Sequence, residues 1–269
     1  MSLEASASQS FCQLVMPVQQ ILRAAGQLIL DAKAQSFAVD EKGEKNFVTA
    51  VDLAVQSQIV SQLQVLTPGY AFLAEEEDLS DPVSERPVWI LDPVDGTTNL
   101  MRHNQHSAIS LALAAQGEVQ LGFVYNPYLN ELFTAIRGQG VTLNGNPVQT
   151  SPVHQLRDGL ISFGTNPYQR QAAHETFARV ERVFMAALEV RRCGAAALDL
   201  AYVACGRYDG FFEQRLQPWD FAAGLLMVQE AGGSVCNWQG QPLAIRQADS
   251  LLATNGKIQT ELFHLVCQP

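Results

Sequence analysis

The sequence contains no long hydrophobic run. Its longest apolar segments, residues 108–115 and 221–228, hold eight residues each, whereas a membrane-spanning helix needs about 18. The first residues also lack the basic and apolar regions of a secretory signal. We therefore expect no membrane association and a cytoplasmic location.

Cysteine and positive charge are also scarce. The five cysteines are scattered and include no Cys-x-x-Cys pair, which predicts reduced thiols rather than a disulfide framework or a zinc site. Lys and Arg number 17 against 27 Asp and Glu, which gives a net charge of −10. This acidic balance argues against nucleic acid as a partner, but an anionic substrate can still bind if metal ions supply positive charge.

The composition itself is typical of a folded protein. Apolar residues make up 47% of the 269 and charged residues 16%, which excludes a disordered, collagen-like or coiled-coil chain. We predict one domain over residues 1–269, within which two closely packed subdomains would meet near residue 150.

Hydrophobic periodicity predicts the order of the elements. Apolar residues recur at helical spacing over 11–29 and 51–66, and a loop or hairpin over 31–48 separates these helices. Short apolar runs bounded by turn residues predict strands, and those between 107 and 143 form an antiparallel meander. The predicted strands are 70–74, 88–91, 107–114, 119–125, 131–136, 140–143, 160–163, 209–213 and 251–254, and the later helices are 174–188, 195–205, 218–231 and 258–266. Mixed sheets layered with helices follow from this order.

The densest chemical signal is the run Asp92-Pro93-Val94-Asp95-Gly96-Thr97-Thr98-Asn99. An apolar strand delivers Asp92 at its end, and proline cannot continue a strand ladder, so Pro93 is expected to turn the chain and return Asp95 beside Asp92. Gly96 allows a close approach of the backbone to a ligand, and the polar residues after it open a helix whose amides can bind phosphate. Two carboxylates in this position predict a Mg²⁺ site, and an Asx-Pro turn with surface acids is the structural alternative.

Three further acids stand at a strand end or a helix start. Glu75 follows a short strand as the first of four consecutive acids, in which Glu76 is its competitor and the last two are expected to lie in solvent. Asp220 falls in the first turn of an apolar helix, where the helix dipole favours an acid in any case. Asp52 closes a Thr-x-x-Asp sequence that resembles a capping box.

Convergence of these acids would place five negative charges in one cleft. At ~4 Å and an effective dielectric of ~20, each pair of like charges costs about 4 kcal/mol. Three Mg²⁺ would set six positive charges against those five and leave a weakly positive site for a phosphate. The sequence therefore argues against a metal-free protein.

These motifs resemble those of the inositol monophosphatase family. The resemblance rests on the Asp-Pro-x-Asp-Gly-Thr run that begins at Asp92, on the pair Trp219-Asp220 and on the segment Glu230-Ala231-Gly232-Gly233, and it extends over nearly the whole chain. It implies an α/β fold of the layered αβαβα sandwich type and a homodimer. It also implies Mg²⁺-dependent, lithium-sensitive hydrolysis of a phosphorylated polyol or sugar, above all inositol monophosphate, with two or three Mg²⁺ per active site.

The resemblance also implies a role for each matching residue. The implied metal ligands are Glu75, Asp92, Val94 through its carbonyl, Asp95 and Asp220. The implied catalytic residues are Asp52, Glu75 and Thr97, of which Thr97 and Asp52 would orient the attacking water. The implied substrate contacts are Asp95, Gly96, Thr97, Ala196, Glu213 and Asp220, with the amides of Gly96 and Thr97 on the phosphate.

The chain departs from the family pattern in two places. Ala195 stands where the family usually has Ser or Thr, and the polar segment 100–106 replaces a common aromatic residue and proline. His103 and His106 in that segment are interpreted as loop or surface residues. Lys42 is a candidate only, in a segment that is either a lid over the metals or a solvated hairpin. These departures weaken a claim of strict inositol specificity.

Three alternatives stay open on the sequence. A haloacid-dehalogenase-like phosphatase would form an aspartyl-phosphate on an Asp-x-Asp-Gly-Thr motif, but the spacing here is Asp-x-x-Asp. Fructose-1,6-bisphosphatase, histidinol-phosphatase or nucleotide 3′-phosphatase activity would use the same site, since substrate choice lies in divergent loops. A non-enzymatic regulatory binding protein on this fold is the third, and the complete set of acids counts against it.

Overall fold

The fold consists of two large β-sheets with helices between them and on their outer faces. The computed structural model describes residues 11–31, 39–42, 46–76, 86–166 and 169–268. Its helices are α1 (Val15–Asp31), α2 (Ala50–Leu66), α3 (Thr97–Met101), α4 (Ala173–Ala186), α5 (Ala196–Ala204), α6 (Pro218–Glu230) and α7 (Gln259–Cys267). Its strands are β1 (Val39–Lys42), β2 (Asn46–Thr49), β3 (Ala71–Ala74), β4 (Val88–Asp95), β5 (Ala108–Ala115), β6 (Glu118–Asn126), β7 (Glu131–Ile136), β8 (Gly140–Leu143), β9 (Asn146–Val148), β10 (Leu160–Phe163), β11 (Glu189–Arg191), β12 (Gly210–Leu216), β13 (Ser234–Cys236) and β14 (Asp249–Thr254).

The larger sheet is the predicted meander, β5 to β8, with two further strands at one end and one at the other. Its order is β3-β4-β5-β6-β7-β8-β9, in which β3 runs parallel to β4 and every later pair is antiparallel. The smaller sheet has the order β11-β10-β12-β14-β13, and β10 runs parallel to both of its neighbours. Strands β1 and β2 pair as an antiparallel hairpin, which is one of the two structures predicted for that segment.

Three hydrophobic clusters show how the layers stack. Helices α1 and α2 cover the outer face of the larger sheet through residues such as Leu22 and Ile59. Helices α5 and α6 lie between the two sheets, where Leu198 and Phe221 pack with residues of both. Helices α4 and α7 cover the outer face of the smaller sheet. This order of layers confirms the predicted αβαβα sandwich, whereas the subdomain boundary near residue 150 stays a prediction.

Two details of the sequence prediction were incomplete. Strands β9, β11 and β13 have three residues each and were not predicted. Strand β4 was predicted over 88–91 with a turn at Pro93, but it continues to Asp95 across an irregularity in its pairing with β5 between Asp92 and Asp95. A bulge of this kind accommodates a residue that cannot donate to the ladder. No helix in the described residues is long and apolar enough to cross a membrane.

Candidate active site

The bulged end of β4 positions the first two acids of the candidate site. Asp92 and Asp95 are both buried, with exposed fractions of 2% and 8%. The amide of Val94 donates a hydrogen bond of 2.9 Å to Asp92 Oδ1, which is the Asx turn that the sequence offered as the alternative. The Asx turn of the alternative is therefore found, but the surface acids that it predicted are not, because both carboxylates are buried.

Gly96 makes the turn from β4 into α3. Its φ of 88° is in the left-handed region that favours glycine. A Cβ at this position would lie 3.0 Å from the carbonyl oxygen of His106 and 3.1 Å from that of Gly194. The Ser107 hydroxyl donates to the Gly96 carbonyl over 2.9 Å. A side chain at residue 96 would therefore push apart the segments that enclose the site.

Thr97 and Asp52 come together although 45 residues separate them in sequence. Asp52 lies in the first turn of α2 with 1% of its surface exposed. The Thr97 hydroxyl is 3.2 Å from Asp52 Oδ1 and 3.2 Å from the carbonyl oxygen of Val94. These are the two residues predicted to orient a water, and the carbonyl beside them is a predicted metal ligand.

Mutual repulsion shows that the predicted acids share one region. Burial first, and then the nearby charges of Asp220, Glu76, Asp52 and Asp95, raise the pKa of Glu75 to about 8. The pKa of Asp92 is raised well above its usual range by burial and then by the carboxylates of Glu75, Asp95, Asp220 and Asp52. Glu75 reaches this region because β3, which it follows, runs parallel to β4, with Ala74 opposite Leu91. The predicted convergence of Asp52, Glu75, Asp92, Asp95 and Asp220 is thus visible in their electrostatics.

Asp220 enters the site from the first turn of α6. It accepts a hydrogen bond of 2.7 Å from the amide of Gln217, and together they form a capping box at the start of the helix. The Ser110 hydroxyl of β5 donates to the carbonyl of Trp219 over 3.0 Å, which ties α6 to the larger sheet. Burial and the charge of Asp95 raise the pKa of Asp220 well above its usual range.

The donor set fits Mg²⁺ by its chemistry. Carboxylate and carbonyl oxygens are the ligands that hard divalent cations prefer, and such cations relieve the repulsion that raises these pKa values. Over the described ranges, no three His, Cys, Asp or Glu side chains are already arranged around a common metal position. Asp92, Asp95 and Asp220 each accept a hydrogen bond from a backbone amide, which leaves further lone pairs of each carboxylate for a cation.

The predicted substrate residues approach this acid cluster from the smaller sheet. Glu213 on β12 is partly buried, and Gly164 after β10 lies against it so closely that a Cβ would come within 1.7 Å of Glu213 Oε2. Ala196 is the first residue of α5. Burial raises the pKa of Glu213 to about 8, while the Arg192 guanidinium lowers it. This raised pKa favours the neutral form of Glu213, which can both donate and accept hydrogen bonds.

Sequence reasoning did not find three polar residues near Glu213 and Asp95. Arg192 donates to the Thr165 hydroxyl from Nε and Nη2, at 3.2 Å and 3.0 Å. Asp199 is a buried acid of α5, near enough for its ionised form to raise the pKa of Glu213. Thr165, Arg192 and Glu213 meet because parallel strands direct their carboxyl ends to one edge of a sheet. If β11 had been recognised as a strand, Arg192 directly after it would have been expected at this edge of the sheet.

Asn99 connects the larger sheet to the entry of α5, a role beyond the helix opening predicted for it. Its Nδ2 lies 2.8 Å from the carbonyl oxygen of His106, 3.0 Å from that of Cys193 and 3.2 Å from that of Gly194. One of these carbonyls precedes β5 of the larger sheet and the other two precede α5, so this amide links the two segments.

The histidines of segment 100–106 differ in environment. His103 is exposed, as predicted. His106 is partly buried, with its ring 6.1 Å from that of Tyr202 in an edge arrangement, and burial lowers its pKa. The side chain of Lys42, the tip of its hairpin and the acids Glu77 and Asp78 lie outside the described residues.

Comparisons with known proteins agree with this fold. The model of the inositol monophosphatase family matches residues 13–268. The chain is 42% identical over 221 residues to the protein named Nus factor SuhB of Escherichia coli strain K12, which covers 81% of this chain and 82% of that protein. It is 38% identical over 254 residues to the inositol-1-monophosphatase of Mesorhizobium japonicum, covering 94% of this chain and 95% of that one. The crystal structure of extragenic suppressor protein suhB from Bartonella henselae matches with a TM-score of 0.87 and 36% identity, over 94% of this chain and 98% of that chain.

The chain belongs to the inositol monophosphatase family. Its relatives carry names of two kinds, since some are inositol monophosphatases and several are Nus factors. The expectation that nucleic acid is not a partner therefore gains no support from the relatives.

Proposed function

We propose that this protein hydrolyses a phosphate monoester with Mg²⁺ and an activated water. The observation that carries the proposal is the acid cluster of Glu75, Asp92 and Asp220, whose raised pKa values support the binding of cations among these carboxylates. The hydrogen bond between Thr97 and Asp52 at its edge supports the same reaction, because it supplies a base within reach of a water.

Each residue of the site has a place in this reaction. Mg²⁺ would be held by Glu75, Asp92, Asp95, Asp220 and the carbonyl of Val94, with Glu75 bordering a third ion. When bound, Mg²⁺ acidifies water and neutralises charge on the attacking and leaving oxygens. The Thr97 hydroxyl lies 3.2 Å from Asp52 Oδ1 and 3.2 Å from the carbonyl oxygen of Val94. Its oxygen would accept a hydrogen bond from the attacking water and orient it, so that Asp52 can hold the proton that the water releases. The amides of Gly96 and Thr97 would bind the phosphate oxygens.

We infer that the substrate is a phosphorylated polyol or sugar, with inositol monophosphate as the first choice. Glu213, Ala196 and Asp95 would contact its hydroxyl groups. A solved structure of inositol monophosphate bound to SaIMPase-II, 29% identical to this chain with a TM-score of 0.79, supports this choice. A staphylococcal inositol monophosphatase-1 that forms an inhibitory complex with lithium chloride supports lithium sensitivity. Fructose 1,6-bisphosphate, histidinol phosphate and nucleotide 3′-phosphates are the alternatives.

A regulatory binding role is the second candidate. The relatives named Nus factor SuhB favour it, and it is compatible with catalysis because the acid cluster leaves other surfaces unused. We also infer a cytoplasmic location and a homodimer. All five cysteines are free thiols, as a reducing compartment requires.

Phosphate release from a substrate panel tests the proposal. The panel holds inositol 1-phosphate, fructose 1,6-bisphosphate, histidinol phosphate and adenosine 3′,5′-bisphosphate, each with and without Mg²⁺ and Li⁺. We expect Mg²⁺-dependent, lithium-sensitive release, with the best substrate identifying the natural class. Absence of release from a protein that binds Mg²⁺ would reject the enzyme for these substrates and favour the regulatory role. An aspartyl-phosphate trapped on Asp92 would overturn the mechanism.

A further inference from the structure

Asp199 is a buried acid that the proposed mechanism does not use. It lies one turn into α5, and 1% of its surface is exposed. Its Oδ1 has no hydrogen-bond partner in the described part of the chain. A buried carboxyl group that is only half satisfied opposes folding, so its presence beside Asp95 and Glu213 requires an explanation other than stability.

The Asp199 side chain reaches the smaller sheet. The fully buried hydroxyl of Ser162 on β10 donates to the carbonyl oxygen of Gly210 on β12 over 3.5 Å, and it also lies within hydrogen-bonding reach of the Asp199 carboxyl. Burial raises the pKa of Asp199 well above its usual range, which favours a neutral acid. Two residues beyond Ser162, Gly164 lies against Glu213. Asp199 therefore connects α5 to β10, and the residue that follows β10 lies against Glu213.

The same turn of α5 is held on its other side by Asp95. The residue before the helix is Ala195, which has no side-chain oxygen to cap the helix. Asp95 supplies the missing acceptor from the larger sheet, because the amide of Ala197 donates to Asp95 Oδ2 over 2.7 Å. The first turn of α5 thus contacts Asp95, a predicted metal ligand, on one side and β10 on the other.

We propose that Asp199 is a positioning residue, which fixes the first turn of α5 against β10 and so sets the place of Asp95 relative to Glu213. It touches neither metal nor substrate. The kinetic part of this inference rests on the proposed function, whereas its effect on Mg²⁺ binding does not. Loss of the Asp199–Ser162 contact would free the turn that carries Ala196 and Ala197, so Asp95 would lose part of its fixed orientation.

Four variants test this role: Asp199→Asn, Asp199→Ala, Ser162→Ala and the control Val203→Ala. Asn keeps the size and hydrogen bonding of a neutral acid, so Asp199→Asn should bind Mg²⁺ within about threefold of the wild type. Asp199→Ala and Ser162→Ala should each weaken Mg²⁺ binding about tenfold, as residues that orient metal ligands do. Val203 is fully buried one turn further along α5, and its truncation should lower Tm without changing Mg²⁺ affinity. Isothermal titration calorimetry with MgCl₂ and thermal unfolding are the measurements.

A double variant and the kinetics complete the test. Asp199→Ala combined with Ser162→Ala should bind Mg²⁺ no more weakly than either single variant, because both remove one contact. With an active wild type, Asp199→Ala should raise KM for the substrate more than it lowers kcat, and Asp199→Asn should restore both. The inference is wrong if Asp199→Ala changes Mg²⁺ affinity no more than Val203→Ala does, or if Asp199→Asn is as impaired as Asp199→Ala. A wild type that binds Mg²⁺ and releases no phosphate would reject the proposed function, and the Mg²⁺ affinities would still decide the role of Asp199.

Discussion

At the scale of single residues, the acids of the site lie where burial and mutual repulsion oppose their charge. Asp92 is the clearest case, because its carboxyl is buried and four other carboxylates raise its pKa. Asp209 is equally enclosed but fully satisfied. Its carboxylate accepts a hydrogen bond of 2.7 Å from the amide of Leu160 and a second hydrogen bond from the hydroxyl of Ser151. We therefore expect the charge of Asp92 to oppose folding and the hydrogen bonds of Asp209 to favour it, which makes the two acids a matched pair.

Asp92→Asn should stabilise the metal-free protein. Asn keeps an oxygen for the amide of Val94 and removes the cost of holding a carboxylate there, a gain of about 1 to 2 kcal/mol near neutral pH. The same change removes a metal ligand, so Mg²⁺ should no longer raise Tm and phosphate release should stop. Thermal unfolding in EDTA and in MgCl₂ is the measurement. Asp209→Asn is the control and should lower Tm in both buffers, and a similar fall for Asp92→Asn in EDTA would contradict the prediction.

Glu213 should make stability depend on pH. Its native pKa of about 8 lies above the ordinary value of 4.5, so its contribution is complete below pH 4.5 and is lost as the pH rises through 8. Within this window, the free energy of unfolding should fall by up to about 1.4 kcal/mol per pH unit for such a group. Urea denaturation of the metal-free protein from pH 5 to pH 8 measures the slope. Glu213→Gln should make it shallower, whereas Gln at the exposed Glu118 should leave it unchanged; equal slopes for all three proteins would refute the assignment.

At the scale of elements, α5 depends on an acid from another sheet for its start. Ala195 offers no cap, and Asp95 takes the amides that the helix leaves free. Asp95→Ala should therefore destabilise the protein even in EDTA, by about 0.5 to 2 kcal/mol, as the loss of an N-cap does. Asp95→Asn should keep part of this stability, since its amide oxygen still accepts. Chemical denaturation in EDTA distinguishes the cases, and a more stable Asp95→Ala protein would show that repulsion dominates at this position too.

The elements also show which parts of the fold are predictable from sequence. Helix α6 has Pro218 in its first turn and Gly232 just after its end, and these local signals gave its bounds to within one residue. The meander strands were predicted because apolar runs and turn residues alternate there. Strand β11 has three residues and no period of its own, and it exists because β10 pairs with it. Local pattern therefore predicts an element only where the element is long enough to show a period.

The candidate site divides in the same way. Asp92, Asp95 and Asp220 follow from a strand end and a helix start that are visible locally, and the structure brings them together. Thr165, Arg192 and Asp199 reach the site through the parallel pairing of β10 with β11 and β12 and through α5. No spacing in the sequence encodes these contacts, because they depend on which strands become neighbours.

At the scale of the whole molecule, one face carries several large apolar side chains that are exposed. Helix α4 covers the smaller sheet with one side, and Phe177, Phe184 and Met185 on it are 55%, 51% and 78% exposed. Leu188, just beyond the helix, is 66% exposed. An exposed group of large apolar side chains marks an interaction surface. A second copy of the chain is the occupant that we infer, because a homodimer is what the resemblance implied and this patch can pair with itself across a two-fold axis.

Phe184→Glu should weaken this dimer. Burial of a phenylalanine contributes about 2 kcal/mol, and a charge in its place removes at least that much, so the dimer Kd should rise at least about thirtyfold. Val65 on α2 is the matched control, because it is 84% exposed and lies on the helix layer that covers the other sheet. Sedimentation velocity over a concentration series should show Val65→Glu as dimeric as the wild type and Phe184→Glu as a monomer at the lower concentrations. A wild type that sediments as a monomer throughout, or a Phe184→Glu protein that stays dimeric, would assign the patch to a partner other than a second copy.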